Sequence, residues 1–325
     1  AFRDRLRRFV TNVLSTGGAL WRVLHRLVDE GADGACRCDD EEMRTISAHR
    51  PFHSVHVASA PRGVRELCLA YLPLMSEGAF FSHQTAAALL DVPLPSELAE
   101  GPLHISVAFP RTPPRGRGVL GHSLGSVTGE LVDGLPLCVP AQVWCQLSGV
   151  LDREDLVAAG DHLVGARGRQ PLAEIHELVD AADELHRTKG SRERLWALPR
   201  IRYGADSRPE SLLRLLLEAD GFIGLEVNRA VSLRRGRTIL HPDLSIPEHR
   251  IAFEYEGDGH RVDRRQWHLD IERRDVLESE GWRVVRVTAQ DLFGNRDAFR
   301  DRLRRFVTNV DIRGTKVDIR DESRG

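Results

Sequence analysis

"HPDLSIPEHRIAFEYEGDGH", His241 to His260, decides how the C-terminal part of this chain folds. It reads as two β-strands around a four-residue loop, Pro247 to Arg250, yet the strands carry three acids, Asp243, Glu254 and Glu256. Strand side chains alternate between faces, so Leu244 and Ile246 share one face with Ile251, Phe253 and Tyr255, and the acids take the other. The loop length pairs Ile246 with Ile251 and therefore Asp243 with Glu254. Directly opposed residues on antiparallel strands have Cβ atoms roughly 5 Å apart, where like charges repel. Something cationic belongs between them. A hard divalent ion such as Mg²⁺ or Mn²⁺ takes carboxylate oxygens and waters; the plainer answer is a solvated polar face with arginines neutralising the acids.

Outward from the hairpin the pattern stays clean. "SRPESLLRLLLEADG" reads as a helix with Ser207 as N-cap, Pro209 in its first turn and Gly221 as its stop. "GLEVNRAVSL" and "TILHPDLSI" read as strands joined at "RRGR", and "RIAFEYEG" as a third. "RRQWHLDIERRDVLESEG" reads as a weakly amphipathic helix, and "WRVVRVTA" as a strongly β-branched fourth strand. A closing helix gives the order α-β-β-β-α-β-α over residues 207–310, on a mixed sheet.

Upstream, residues 51–200 alternate helical and strand-like pieces and read as a smaller α+β domain. "SHQTAAALLDVPLP" is a helix capped by Ser82, "LHISVAF" a strand, "RTPPRGRG" a loop, and "PAQVWCQLSGVLDREDLVAAGDHLV" two short helices. Residues 1–50 read as a weakly determined lead-in and 311–325 as a polar, disordered tail. "AFRDRLRRFVTNV" occurs twice without a mismatch, at Ala1–Val13 and Ala298–Val310. Solenoid repeats recur several times and diverge, so this is no structural repeat. A duplicated gene segment or a misplaced start is the expected origin of the first copy, because the second follows a strand in the reading above.

Composition limits the partners. The chain has 325 residues, 41% of them hydrophobic, enough for two domains with cores. Its net charge of −2 provides no global basic signature, so any nucleic-acid surface is local. Of the 46 basic residues only Lys189 and Lys316 are lysines, a bias attributed to GC-rich coding rather than to phosphate binding. Five cysteines form no disulfide framework, no apolar run reaches the length of a bilayer span, and the first residues lack a signal-peptide core. A reduced, cytoplasmic protein without membrane contact is expected.

Taken as a set, the "PD" before a hairpin, the "E-x-E" on the next strand, "EYEGDGHR", "D-x-x-R-R" and "GWRVVRVT" resemble the PD-(D/E)XK restriction-endonuclease-like superfamily, in a bacterial branch related to very-short-patch-repair endonucleases. The resemblance covers roughly residues 207–310. It implies a restriction-endonuclease-like fold, metal ligation by Asp243 and Glu254, Glu210 completing the site, and DNA as substrate. Glu256 stands where the superfamily usually has lysine, and a glutamate cannot supply the lysine's positive charge. In this branch the resemblance gives proton transfer to His260 and admits phosphate contacts from Arg273 or Arg274. "SHQTAAALLDVPLP" and "DLVAAGDHLV" more loosely resemble AbiEi-type antitoxins, implying a possible protein partner for the N-terminal domain.

Each site residue has a plainer role beside it. Glu210 stands three residues after Ser207, as in a capping box. His260 can cap the next helix, Asp270 can pair with Arg274, and Trp267 can be core. "GHSLG", Gly121–Gly125, fits the G-x-S-x-G elbow, but its flanks favour a β-turn between strands over a serine hydrolase. Cys36 and Cys38 with His53 and His56 match no common zinc spacing. The expectation is a metal-dependent DNA endonuclease; the alternative is a non-catalytic DNA- or partner-binding protein on a degenerate nuclease fold.

Overall fold

The computed structural model describes residues 49–57, 59–165, 168–233, 237–257 and 264–308, with the backbone alone in 264–271 and 307–308. His260, the first copy of the repeated segment, Cys36, Cys38, Val310 and the tail 311–325 lie outside the described residues, as do the side chains of Trp267, Asp270 and Val307. Two compact units divide the chain between Val143 and Trp144. Among the described residues no helix is long and apolar enough to cross a membrane.

The described part of the first unit begins with a hairpin, β1 (His49–Phe52) and β2 (Val55–Val57), followed by α1 (Gly63–Tyr71). Then come β3 (Ala79–Phe81), α2 (His83–Leu89), α3 (Ser96–Ala99), β4 (Leu103–Ala108), β5 (Arg115–Gly116), β6 (Val119–Leu124), β7 (Gly129–Val132) and β8 (Leu135–Cys138). These strands form one mixed sheet in the order β5-β6-β4-β3-β8-β7, with β4 parallel to β6 and antiparallel to β3. β4 is central and buried on both faces, with Leu103, Ile105 and Val107 on one and His104 and Ser106 on the other. Two expectations are corrected here. Ser82 does occupy the N-cap of α2, but its hydroxyl accepts from Ser106 Oγ (2.8 Å) and lies 3.0 Å from His83 Nδ1, so it does not cap the helix. "GHSLG" runs along β6 and continues past its end, so Ser123 sits within a strand, on neither an elbow nor a turn.

The division falls inside α4 (Pro140–Leu147), and the second unit continues with α5 (Arg153–Val164), α6 (Ile175–Glu184), α7 (Ser191–Ala197) and α8 (Arg208–Ala219). Residues 144–200, read from the sequence with the upstream domain, thus belong by contact to the second unit. Their side chains supply the reason: Asp155 of α5 takes a two-pronged ion pair from Arg208 of α8 (2.6 and 3.0 Å), and Asp161 takes Arg214 (2.9 Å). Ser207 caps α8, accepting from Glu210 N–H at 3.4 Å.

Beyond α8 lie β9 (Glu226–Val227), β10 (Val231–Leu233), β11 (Thr238–Leu240), β12 (Leu244–Ile246), β13 (Ile251–Glu256), α9 (Arg264–Ser279), β14 (Arg283–Thr288), a π-turn at Gln290–Gly294 and α10 (Arg296–Thr308). Each of the first two expected strands is broken in the middle. β9 and β12 join a four-stranded sheet, β14-β13-β12-β9, while β10 and β11 form a separate two-stranded ribbon. One break falls at Asn228, whose backbone is left-handed (φ 47); the other includes Pro242, which has no N–H to donate to a ladder. Counting each broken pair as one element leaves the expected order, α-β-β-β-α-β-α, around a sheet that is mixed because β13 and β14 run parallel across the α9 crossover. The unit is therefore α/β.

Side-chain alternation gives this sheet two covered faces. Leu244, Ile246, Ile251, Phe253, Val285 and Val287 pack with Leu213, Leu216 and Leu217 of α8 and Phe299 and Leu303 of α10. On the other face Ala252 packs with Leu277, Trp282 and the ribbon's Val231 and Leu233.

Candidate acidic site and a histidine cluster

The hairpin places the acids. Its loop is a short 3₁₀ turn, Pro247–His249, closed by Arg250 in the left-handed region (φ 52), and it sets the register Ile246 to Ile251 and Leu244 to Phe253. One step further, that register brings Asp243 opposite Glu254. Asp243 Oδ2 accepts from Tyr255 N–H (2.7 Å), and Asp243 O accepts from Asn228 N–H (3.0 Å), so the aspartate is fixed at the end of the sheet.

Glu210 reaches the same place from α8. Its carboxylate accepts from Asp206 N–H (2.9 Å), Ser207 Oγ (2.8 Å) and Asn228 Nδ2 (2.7 Å), so the capping role and the proximity to the acids coexist in one side chain. Burial first, and the negative charge of Asp243 second, push the Glu210 carboxyl up to about 7, although those three donors pull the other way. Arg273 of α9 donates to His241 O (2.8 Å) and stands 3.6 Å from Glu254 Oε1. Arg274, one residue on, lies about 100° further round the helix. Glu256 is held by both ends of the Arg286 guanidinium from β14.

The acids are not drawn into a tight ligand shell. Among the described residues, the grouping of three His, Cys, Asp or Glu ligand atoms within 4.8 Å of one another is a different one: His83, His104 and His122 in the first unit. His83 opens α2, His104 lies on β4 and His122 on β6. Ser106 is the register partner of His122, so His104, two residues before Ser106, shares its face of the sheet. His104 Nδ1 and His122 Nε2 are 3.0 Å apart, and the His83 and His122 rings stack at 3.8 Å. The sequence reading passed over all three. They sit singly in "SHQT", "LHIS" and "GHSL", with no ligand spacing, and the parallel pairing of β4 with β6 that unites two of them has no local signature.

Comparison of the chain with protein-family models, with curated proteins and with solved structures found no match in any of the three.

Proposed function

We propose that the acidic end of the second unit's sheet is a metal-dependent phosphodiesterase site acting on DNA. What carries this reading is the convergence beside Arg273 of two opposed acids of one hairpin, Asp243 and Glu254, with Glu210 brought to Asp243 from α8, where a merely polar surface would spread like charges apart. Their oxygens are hard donors. They suit Mg²⁺ or Mn²⁺, which needs only one or two carboxylates because waters and substrate phosphate complete its shell. Asp243 and Glu254 would hold the ion, which when bound offsets the charge that builds on phosphorus during in-line attack by water. Glu210, with a proton affinity near neutrality, can take the proton from that water, and Arg273 supplies a cation for a phosphate oxygen. The order of elements and the resemblance to PD-(D/E)XK enzymes support the same reading.

One observation favours a second reading. Glu256, standing where that superfamily has its lysine, is neutralised by Arg286, and Arg273 already faces Glu254. A chain that balances its own acids this way suits a non-catalytic DNA- or partner-binding role. Incubating the full chain with supercoiled plasmid and Mg²⁺ or Mn²⁺ separates the two. Nicking that EDTA abolishes and that Asp243→Ala reduces at least ~100-fold is expected from the enzyme. A gel shift without nicking establishes the binding module, and equal nicking by Asp243→Ala removes this site from consideration.

A further inference from the structure

Three histidines from separate elements of the first unit meet on one side of its sheet, and among the described residues the ligand group they form contains no acid or thiol. His83 occupies the first position of α2 with a left-handed backbone (φ 50), a conformation uncommon for a non-glycine residue and one that costs about 1 kcal/mol or more. Its Nδ1 is 3.0 Å from Ser82 Oγ, which in turn accepts from Ser106 Oγ (2.8 Å). Thr85 Oγ1 of the same helix accepts from His104 N–H (2.8 Å), tying α2 to β4 where the rings gather.

We propose that His83, His104 and His122 form a binding site for a first-row divalent ion of the zinc class, with three imidazole nitrogens as ligands and a fourth position open to water or an exogenous ligand. The donor set decides the class: nitrogen ligands without carboxylates suit zinc and its neighbours and disfavour magnesium or calcium. The distances agree. Two nitrogens bound to one tetrahedral zinc at about 2.0–2.1 Å are about 3.4 Å apart. His104 Nδ1 and His122 Nε2, 3.0 Å apart in a hydrogen bond, need to separate only slightly, with the proton between them moved to the far nitrogen of its ring by a change of tautomer. Ring lone pairs lie in the ring planes, so the stacked His83 and His122 turn towards the ion as it enters, exchanging stacking for coordination. Zinc-bound histidines usually have their second nitrogen held by a neighbouring polar group, which is the relation Ser82 has to His83. Burial and the neighbouring rings lower the proton affinity of His83 to about 3 and of His104 to about 4, and burial lowers that of His122 as well. All three are therefore neutral at physiological pH, the state in which imidazole binds metal.

The test uses the full chain, stripped with EDTA, dialysed, and titrated with Zn²⁺ against a chromogenic chelator, with Co²⁺ as a spectroscopic substitute. One zinc per chain is expected, together with cobalt d–d bands that lack the charge-transfer band of cysteine ligation. His83→Ala and His122→Ala should abolish this binding, and Ser82→Ala should weaken it about 10- to 100-fold. Asp243→Ala and the Cys36→Ser/Cys38→Ser pair should leave it unchanged, which separates this site from the acidic one and from the N-terminal cysteines. His122 is only partly buried, so its variant should retain a wild-type circular dichroism spectrum; if it does not, His122→Gln is read in its place. Absence of retained zinc, binding unchanged in the histidine variants, or binding lost with the cysteines overturns the proposal.

Discussion

Glu210 shows two roles meeting in one side chain. A glutamate three residues after a serine is a capping box, and the hydrogen bond from Ser207 Oγ to its carboxylate fulfils that role. The same carboxylate is buried near Asp243, and its pKa rises from 4.5 to about 7. Because the folded carboxyl holds its proton more tightly than the unfolded one, folding takes up a proton between those values. The stability due to protonated Glu210 is fully present below about pH 4.5 and is lost as pH rises through about 7, on the order of 3 kcal/mol at most. Glu210→Gln removes this titration. Urea unfolding of the metal-free protein from pH 4.5 to 8 should therefore show the variant gaining on the wild type as pH rises. A difference between the two that stays flat across that window would mean the carboxyl titrates at its ordinary pH.

At the scale of elements, α5 and α8 are joined by charge buried in the second unit. Asp161, fully buried, accepts from Arg214 (2.9 Å), Ser211 Oγ (2.7 Å) and Arg202 N–H (2.7 Å), and Arg214 is 1% exposed. Removing one member strands a desolvated charge, so Asp161→Ala should cost about 3–5 kcal/mol in urea unfolding. Replacing both, as Asp161→Leu with Arg214→Met, should cost far less than the two single changes together. Additive costs would show that the pair is not energetically coupled. This contact also marks the limit of what the sequence discloses. The helical pattern of "DREDLVAAGDHLV" was legible, but Asp161 looks there like a residue of a solvated face, and only the tertiary partner Arg214 explains its burial. The hairpin register was legible because a four-residue loop and period-2 alternation leave little freedom. The strand break at Asn228 was not, because it depends on Asn228 reaching Gly204 and Glu210, contacts distant in sequence, whereas the break at Pro242 has a local cause, a residue without an N–H, that the strand reading ran through. Likewise the acids could be foreseen on one hairpin, whereas the histidine cluster needed the pairing of β4 with β6.

At the scale of the molecule, the duplicated segment sets up a competition within one chain. In α10, Phe299 is fully buried and Leu303 nearly so, both in the core of the second unit, with Phe306 packed at its edge. Truncating either buried side chain would cost about 2–5 kcal/mol, so the helix is a substantial share of a marginally stable domain. Ala1–Val13 has the identical sequence and hence the same apolar stripe and the same intrinsic affinity for that groove. Occupancy is then decided by tether length. The π-turn at Gln290–Gly294 delivers the second copy directly from β14, giving it a far higher effective concentration than a segment arriving from the opposite end of the chain. Deleting Ala1–Val13 should accordingly leave the melting temperature almost unchanged. Deleting Ala298–Val310 should either unfold the second unit or recruit the first copy, from the same chain or from another, and recruitment between chains appears as a concentration-dependent dimer in sedimentation. Combining both deletions should abolish any such rescue, because no copy remains to fill the groove. A thermal melt in which the N-terminal deletion costs as much as the C-terminal one would contradict this account, since it would make the first copy an equal part of the core.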